Sequence, residues 1–286
     1  MRPQVQSFFH EESSTICHVL WEPDGQRCAI IDAVLDFDEA AGRTTTAFAD
    51  QVAMFVRERG LGVDWILETH AHADHLSAAW HLKQSLGGRI AIGATITEVQ
   101  RLWKEIYNLP HDHPTDGSQF DHLFADGEPF RIGALEASVI ETPGHTPANV
   151  TYLVGDAAFV ADTIFQPDFG TARCDFPGGS ARELYHSIQR ILDLPPETRL
   201  FTGHDYMPGG REPAWESTVA EQRASNLHLK DQPSEEQFVA MREARDATLP
   251  MPRLILHALQ VNMEAGRLPP PENNGTSYIK IPLNRL

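Results

Sequence analysis

The chain has 286 residues, 41% of them hydrophobic and 22% charged, an ordinary globular composition that can build a core without disulfide staples. Its net charge of −17 argues against a basic groove for DNA or RNA, and no apolar run approaches the roughly 20 residues needed to cross a bilayer. The three cysteines, Cys17, Cys28 and Cys174, fit neither a disulfide framework nor a zinc knuckle and read as passive buried thiols; with no secretion-signal pattern in residues 1–10, the expected location is the cytoplasm.

Residues 14–21 and 27–32 read as strands joined by the turn Pro23-Asp24-Gly25, a hairpin. Over 44–59 the period changes: Phe48, Val52, Phe55 and Val56 share one helix face, and Gly60 ends the helix. Residues 63–69 form an apolar run expected to be a buried strand, followed by a helix over 74–86 that starts at Asp74 and stops at Gly87-Gly88. A strand at 89–93, a helix at 97–106 and an irregular crossover at 108–126 follow. The next strands are expected at 135–141, 149–154 and 157–161. Ser180-Ala181-Arg182-Glu183 is a capping-box pattern ahead of Leu184, Ile188, Ile191 and Leu192, which share a helix face. A strand at 199–202 precedes a mostly helical region, 215–265, broken at Gln232-Pro233 and Pro250-Met251-Pro252, and a strand-like stretch at 278–281 ends the chain. There is no internal repeat and no long low-complexity linker, so one domain is expected, with a core over about 4–210 and a helical extension over about 211–286.

The segment Thr69-His70-Ala71-His72-Ala73-Asp74-His75 puts three histidines and a carboxylate where a buried strand ends. On extended backbone His70 and His72 project to one side, and neutral imidazoles and carboxylates are ligands for first-row metals. Further ligand-type residues stand at strand ends: His145 after 135–141, Asp162 after 157–161 and His204 after 199–202. Layered α/β enzymes carry their chemistry at such positions. A structural zinc site would be closed and mostly cysteine-based, which this set is not.

The HxHxDH segment, followed by a glycine-preceded histidine, an aspartate and a histidine, resembles the metallo-β-lactamase superfamily and implies an α/β fold, an αββα sandwich with the metal at one edge of two sheets. Glu68-Thr69-His70-Ala71-His72-Ala73-Asp74-His75, Ala161-Asp162-Thr163, Arg173-Cys174-Asp175-Phe176, Leu184-Tyr185-His186-Ser187, Gly203-His204-Asp205-Tyr206, Leu249-Pro250-Met251-Pro252 and Asn262-Met263 resemble the persulfide dioxygenases related to the ethylmalonic encephalopathy protein, and GTARCDFPGG at 170–179 resembles their bacterial branch. The resemblance implies one Fe(II) per chain held by His70, His145 and Asp162. It implies positioning or second-metal roles for His72, Asp74, His75 and His204, and oxidation of glutathione persulfide by O2 to sulfite and glutathione. A homodimer is also implied.

Glutathione carries two carboxylates and an ammonium, so its site needs cations and polar groups near the metal. Arg173 is the first candidate, with an ion pair to Asp175 as its structural alternative. Arg223, Asn226 and Asn262 are candidates from the helical region, and Tyr185 and Tyr206 match family positions. The sequence departs from the family's eukaryotic branch where Leu227 follows Asn226 and where 207–215 is longer, which bears on the pocket rim and on the choice of persulfide. A dinuclear hydrolase of glutathione thioesters, resembling the glyoxalase hydrolases, is the alternative, because all seven ligands of such a site are present; a β-lactamase or lactonase comes third.

Overall fold

The computed structural model describes all 286 residues. Its first half runs β1 (Gln4–His10), β2 (Thr15–Trp21), β3 (Arg27–Ile31), β4 (Val34–Asp38), β5 (Arg43–Thr45), α1 (Ala47–Glu58), β6 (Gly62–Leu67), β7 (Leu76–Ser77), α2 (Ala79–Leu86), β8 (Arg89–Gly93), α3 (Ile96–Ile106) and β9 (His122–Phe124). The second half runs β10 (Pro129–Ile132), β11 (Leu135–Glu141), β12 (Val150–Val154), β13 (Ala157–Ala161), α4 (Ala181–Leu192), β14 (Arg199–Thr202), β15 (Glu216–Thr218), α5 (Val219–Ser225), α6 (Glu235–Asp246) and α7 (Ile255–Asn262).

Two six-stranded sheets result, in the orders β1-β2-β3-β6-β8-β9 and β10-β11-β12-β13-β14-β15. The alternation of side chains along each strand decides the layers. In the first sheet Cys17, Val19, Cys28 and Ile30 point outward, beneath Val52 and Val56 of α1 and Leu82 of α2. Leu20, Ala29 and Ile31 point inward, against Tyr152, Phe159 and Phe201 of the second sheet. Ala158, Val160 and Leu200 face away from that seam, under Leu184 and Ile188 of α4 and Phe238 of α6. Three apolar seams between four layers make the αββα sandwich, and each fully buried side chain of this size contributes about 1.5–3 kcal/mol.

The hairpin at Pro23-Asp24-Gly25 forms, with β2 and β3 antiparallel. β3 pairs parallel with β6, and β13 pairs parallel with β14, so the carboxyl ends of these strands gather along one edge of the sandwich. No helix is long and apolar enough to cross a membrane.

Several local expectations are corrected. Asp74 does not open a helix: Leu76–Ser77 pairs with Val34 and Leu35 as β7, and α2 starts at Ala79. The cause is tertiary, because Asn262 of α7 accepts the Ser77 N–H at 2.7 Å and donates to the carbonyls of His72 and His75 at 2.8 and 2.8 Å. The 108–126 crossover contains β9, which adds to the first sheet beside β8, and the start of the region expected to be helical contains β15. Ser180 caps α4 by accepting from the Glu183 N–H at 3.2 Å, while reciprocal capping boxes form on α5 and α6 instead. Residues 278–281 form no strand; their backbone is met by the Gln260 amide, which donates to the Lys280 carbonyl at 2.7 Å and accepts its N–H at 2.9 Å. All three cysteines are free and buried.

Candidate metal centre

Backbone geometry at the gathered strand ends aims the ligands inward. Ala161, the last residue of β13, has φ of +52°, a left-handed conformation that turns Asp162 toward the seam between the sheets. A Cβ on Gly203 would stand 2.8 Å from Asp162 Oδ1, and one on Gly144 would stand 2.3 Å from the Leu184 nitrogen, so His204 and His145 each follow a residue that has to be small.

His70, His145 and Asp162 offer ligand atoms that all lie within 4.8 Å of one another, and all three residues are buried. Their other polar atoms are already committed. Thr69 donates its backbone N–H to Asp32 Oδ1 and its hydroxyl to Asp32 Oδ2, both at 2.8 Å. That hydroxyl can therefore only accept from His70 Nδ1, 3.0 Å away, which leaves the buried His70 Nε2 as a bare lone pair without a partner. His145 Nδ1 donates to the Arg173 carbonyl at 2.8 Å and leaves its Nε2 free, 3.6 Å from Asp162 Oδ2. Burial, helped by the neighbouring imidazoles, holds His70 well below the usual histidine pKa and keeps it in the neutral form that binds metal.

The other four motif residues surround this set. His204 uses both ring nitrogens on carboxylates, Nδ1 to Asp162 Oδ1 at 2.6 Å and Nε2 to Asp74 Oδ2 at 2.8 Å. His75 Nδ1 is 3.1 Å from Asp74 Oδ2, and its Nε2 has no partner; burial and the charge of His72 push its pKa down to about 4. The His72 ring lies between those of His70 and His75, tilted to both, with ring centroids 4.0 and 4.3 Å away. Its Nε2 is 3.1 Å from Asp32 Oδ1 and 3.7 Å from Glu68 Oε2, without hydrogen-bond alignment to either. His72, Asp74 and His75 form a second group of possible ligands, and Asp32, Glu68 and His72 a third. The orphaned imidazole nitrogens and the oxygen and nitrogen donor set fit a first-row transition metal.

A cavity of about 360 Å³ opens onto His145, Asp162 and Asp74. Phe165, Phe169 and Phe176 give it an apolar wall, and Arg173, Arg242, Arg245 and Arg253 bring four guanidinium groups to it. A larger shallow hollow of about 900 Å³ beside Met1 and Phe130 holds none of the ligand groups, so chemistry and not volume marks the site.

The six residues expected to touch substrate divide. Arg173 lines the cavity, yet its guanidinium is held by Asp175 through two bonds of 2.7 Å and by the Pro250 carbonyl at 2.7 Å, so the structural ion pair is formed. Tyr206 also lines the cavity, stacked on His204 at 5.7 Å with an interplanar angle of 3°. Tyr185 and Arg223 lie outside it, in a separate hollow under α4 and α5. Arg223 donates to the Leu192 carbonyl at 2.6 Å, an end-of-helix contact. Asn226 is buried and holds the Gly170 carbonyl at 3.0 Å, and Asn262 holds the backbone of the histidine loop. Both asparagines therefore act on chain conformation and do not reach the cavity.

Sequence reasoning passed over Asp32 and Glu68, which lie beneath the histidines, and Arg242, Arg245 and Arg253 at the mouth. Arg242 and Arg245 are three residues apart on α6, a spacing that puts both on one face and was readable once α6 was known to border the cavity. Arg242 is buried against Asp246 at 2.6 Å, whereas Arg245 is exposed and paired with no carboxylate, and Arg253 has only Glu39 at 3.6 Å.

Known proteins resemble this chain in sequence and in fold. The sequence model of the metallo-beta-lactamase superfamily matches residues 13–204. A "Beta-lactamase hydrolase-like protein" of Xylella fastidiosa is 61% identical over 284 residues, 99% of this chain and 65% of that protein, so the chain spans just under two thirds of that relative's length. "Glyoxylase B2" of Dictyostelium discoideum is 50% identical, with 100% of this chain and 98% of that protein covered. Human "Persulfide dioxygenase ETHE1, mitochondrial" is 30% identical over 92% of this chain and 88% of that protein. Among solved structures, ETHE1 from Myxococcus xanthus superposes with a TM-score of 0.73 at 28% identity, covering 92% of this chain and 100% of that one. The strand-end ligands and the match across most of the sequence agree: the chain belongs to the metallo-β-lactamase superfamily.

Proposed function

We propose that the chain is a persulfide dioxygenase, converting glutathione persulfide, O2 and water to glutathione, sulfite and protons with one Fe(II). The observation that carries this reading is the buried two-histidine, one-carboxylate set of His70, His145 and Asp162, with His70 Nε2 left without a partner, the donor pattern that leaves open positions on non-haem iron. When bound there, iron would supply oxygen activation and a seat for the terminal sulfur.

The chain's own residues do the rest. Phe165, Phe169 and Phe176 exclude water from the reacting end of the cavity, and the arginines at its mouth suit a ligand bearing carboxylates. Arg245 is the free cation among them, and Arg253 the loosely held one. The Arg173 carbonyl fixes the His145 tautomer, and the Thr69 hydroxyl fixes that of His70. The persulfide dioxygenase name of the human relative supports the same chemistry at 30% identity.

A second reading, a dinuclear hydrolase of glutathione thioesters, rests on the grouping of His72, Asp74 and His75 and on the glyoxylase name of the Dictyostelium relative. Anaerobic purification, metal analysis and an oxygen electrode separate the two. About one iron per chain with persulfide-dependent oxygen uptake is expected. Two metals per chain, no oxygen uptake and hydrolysis of S-lactoylglutathione would sink the dioxygenase reading.

A further inference from the structure

Arg242 is the largest side chain that the fold buries completely, and its partner Asp246 is 3% exposed. Both lie on α6, four residues apart. The pair is poorly placed for the helix's own sake. A buried ion pair gains little over apolar packing of the same volume, because two charges leave water to make it. Asp246 is also the last residue of α6, where the helix dipole disfavours a carboxylate. Neither helix stability nor core packing accounts for the pair.

Its remaining bonds do. Arg242 Nε and Nη2 both donate to Asp246 Oδ1, at 2.9 and 2.6 Å. Arg242 Nη1 donates to the Thr171 carbonyl at 3.0 Å, and Asp246 Oδ2 accepts the Cys174 N–H at 2.8 Å. The pair therefore grips the chain at two points, one on each side of Ala172 and Arg173. Residues 172–175 belong to no helix or strand, so no ladder of backbone bonds fixes their peptide planes.

The Cys174 N–H and the Arg173 carbonyl are the two ends of one peptide unit. That unit is planar, and in its trans form the N–H and the carbonyl point in opposite directions. Holding the N–H on Asp246 therefore aims the carbonyl at His145, whose Nδ1 donates to it at 2.8 Å. A carboxylate on the N–H also polarises the carbonyl and strengthens the bond it accepts. Should that carbonyl turn away, Asp162 Oδ2, 3.6 Å from His145 Nε2, is within reach as an acceptor, and a proton on Nε2 would occupy the nitrogen that a metal needs.

We propose that Arg242 and Asp246 are positioning residues for the metal centre, acting on His145 through the peptide that joins residues 173 and 174. Carboxylates commonly orient metal-bound histidines by direct contact; here one does so across a peptide. This role rests on His145 holding a metal and is indifferent to which of the two reactions follows.

The test replaces both residues by apolar ones, Arg242→Met with Asp246→Leu, so that no charge is left buried alone. Arg242 also lines the cavity, so Fe(II) binding and the His145 ring are measured in place of turnover. In metal-free wild-type protein the 15N spectrum should show the His145 proton on Nδ1. In the double variant it should move toward a mixture of the two tautomers. Anaerobic competition with a chelator should show Fe(II) held about tenfold more weakly, the low end of what the partners of a ligand contribute. A purely structural pair would lower the urea midpoint and leave both readings where they were, and that result overturns the proposal. If the double variant does not fold, the wild-type protein decides. A His145 proton on Nε2, or a Cys174 amide that exchanges freely with solvent, overturns the proposal; a proton on Nδ1 with a slowly exchanging Cys174 amide supports it. A wild-type chain that binds Fe(II) but oxidises no persulfide would defeat the proposed function and leave these readings intact.

Discussion

The floor of the cavity is built from strand ends and its mouth from helices and the loops beside them, and the two regions hold their side chains differently. On the floor every polar atom of the triad that does not face its two companions is tied to a buried partner: His70 to Thr69, His145 to the Arg173 carbonyl, Asp162 to His204. At the mouth only Arg173 and Arg242 are clamped by carboxylates, whereas Arg245 and Arg253 stand exposed. A metal needs ligands fixed to a fraction of an ångström, while a flexible ligand needs only polar groups within reach. The floor is accordingly the rigid part and the mouth the adjustable one.

That contrast is tested most harshly at the triad. His70→Ala should abolish both metal retention and turnover, as metal analysis and oxygen uptake will tell; an alanine variant that keeps a full complement of metal would break the division at once. Asn262→Ala comes next. It leaves the Ser77 N–H and the carbonyls of His72 and His75 without their partner, and buried orphans cost about 1–3 kcal/mol each. Denaturant unfolding should show a loss of about 3 kcal/mol or more, together with weaker iron binding; a loss confined to substrate affinity would return Asn262 to the mouth.

Acid should act on the scaffold beneath the floor. His18, buried between the sheets with Nε2 on the Thr202 carbonyl at 3.0 Å, is pushed down by burial to about 4. Its folded pKa lies below its unfolded value of about 6.5, so its contribution is complete above that value and is lost as pH falls through about 4. The loss amounts to about 3 kcal/mol, and His18→Phe should flatten the acid limb of a stability-against-pH curve. The smallest effect is expected at the mouth. Arg245→Ala should raise KM for glutathione persulfide by about tenfold, the loss of one charge-assisted contact, with kcat and iron content unchanged. A fall in kcat alone would make Arg245 part of the reacting machinery.

The same division explains what could be read from sequence. His70, His145, Asp162 and His204 were legible because each follows a short apolar strand, and a strand end fixes where the next side chain goes. The αββα layering was read from the family resemblance, while the apolar periods located most of the strands and helices that build it. Helix α2 was expected to start at Asp74 because nothing local announces that Asn262, far along the chain, seizes that backbone. The mouth was misread for the same reason. Tyr185 and Arg223 sit on helices, and Asn226 just past one, whose inward faces depend on how α4, α5 and α6 dock, and a helical period shows that a face exists without showing what it meets.

Ala161 carries a consequence for how this sequence can change. Its left-handed backbone costs about 1–2 kcal/mol for any residue with a Cβ, and the turn it makes brings Asp162 against Gly203. A glycine at 161 would relieve the strain but loosen the aim of the carboxylate, and a larger residue at 203 would push the carboxylate away. Divergence at these two positions has to be concerted, so descendants that keep a metal at this site should inherit the small pair together or lose it together.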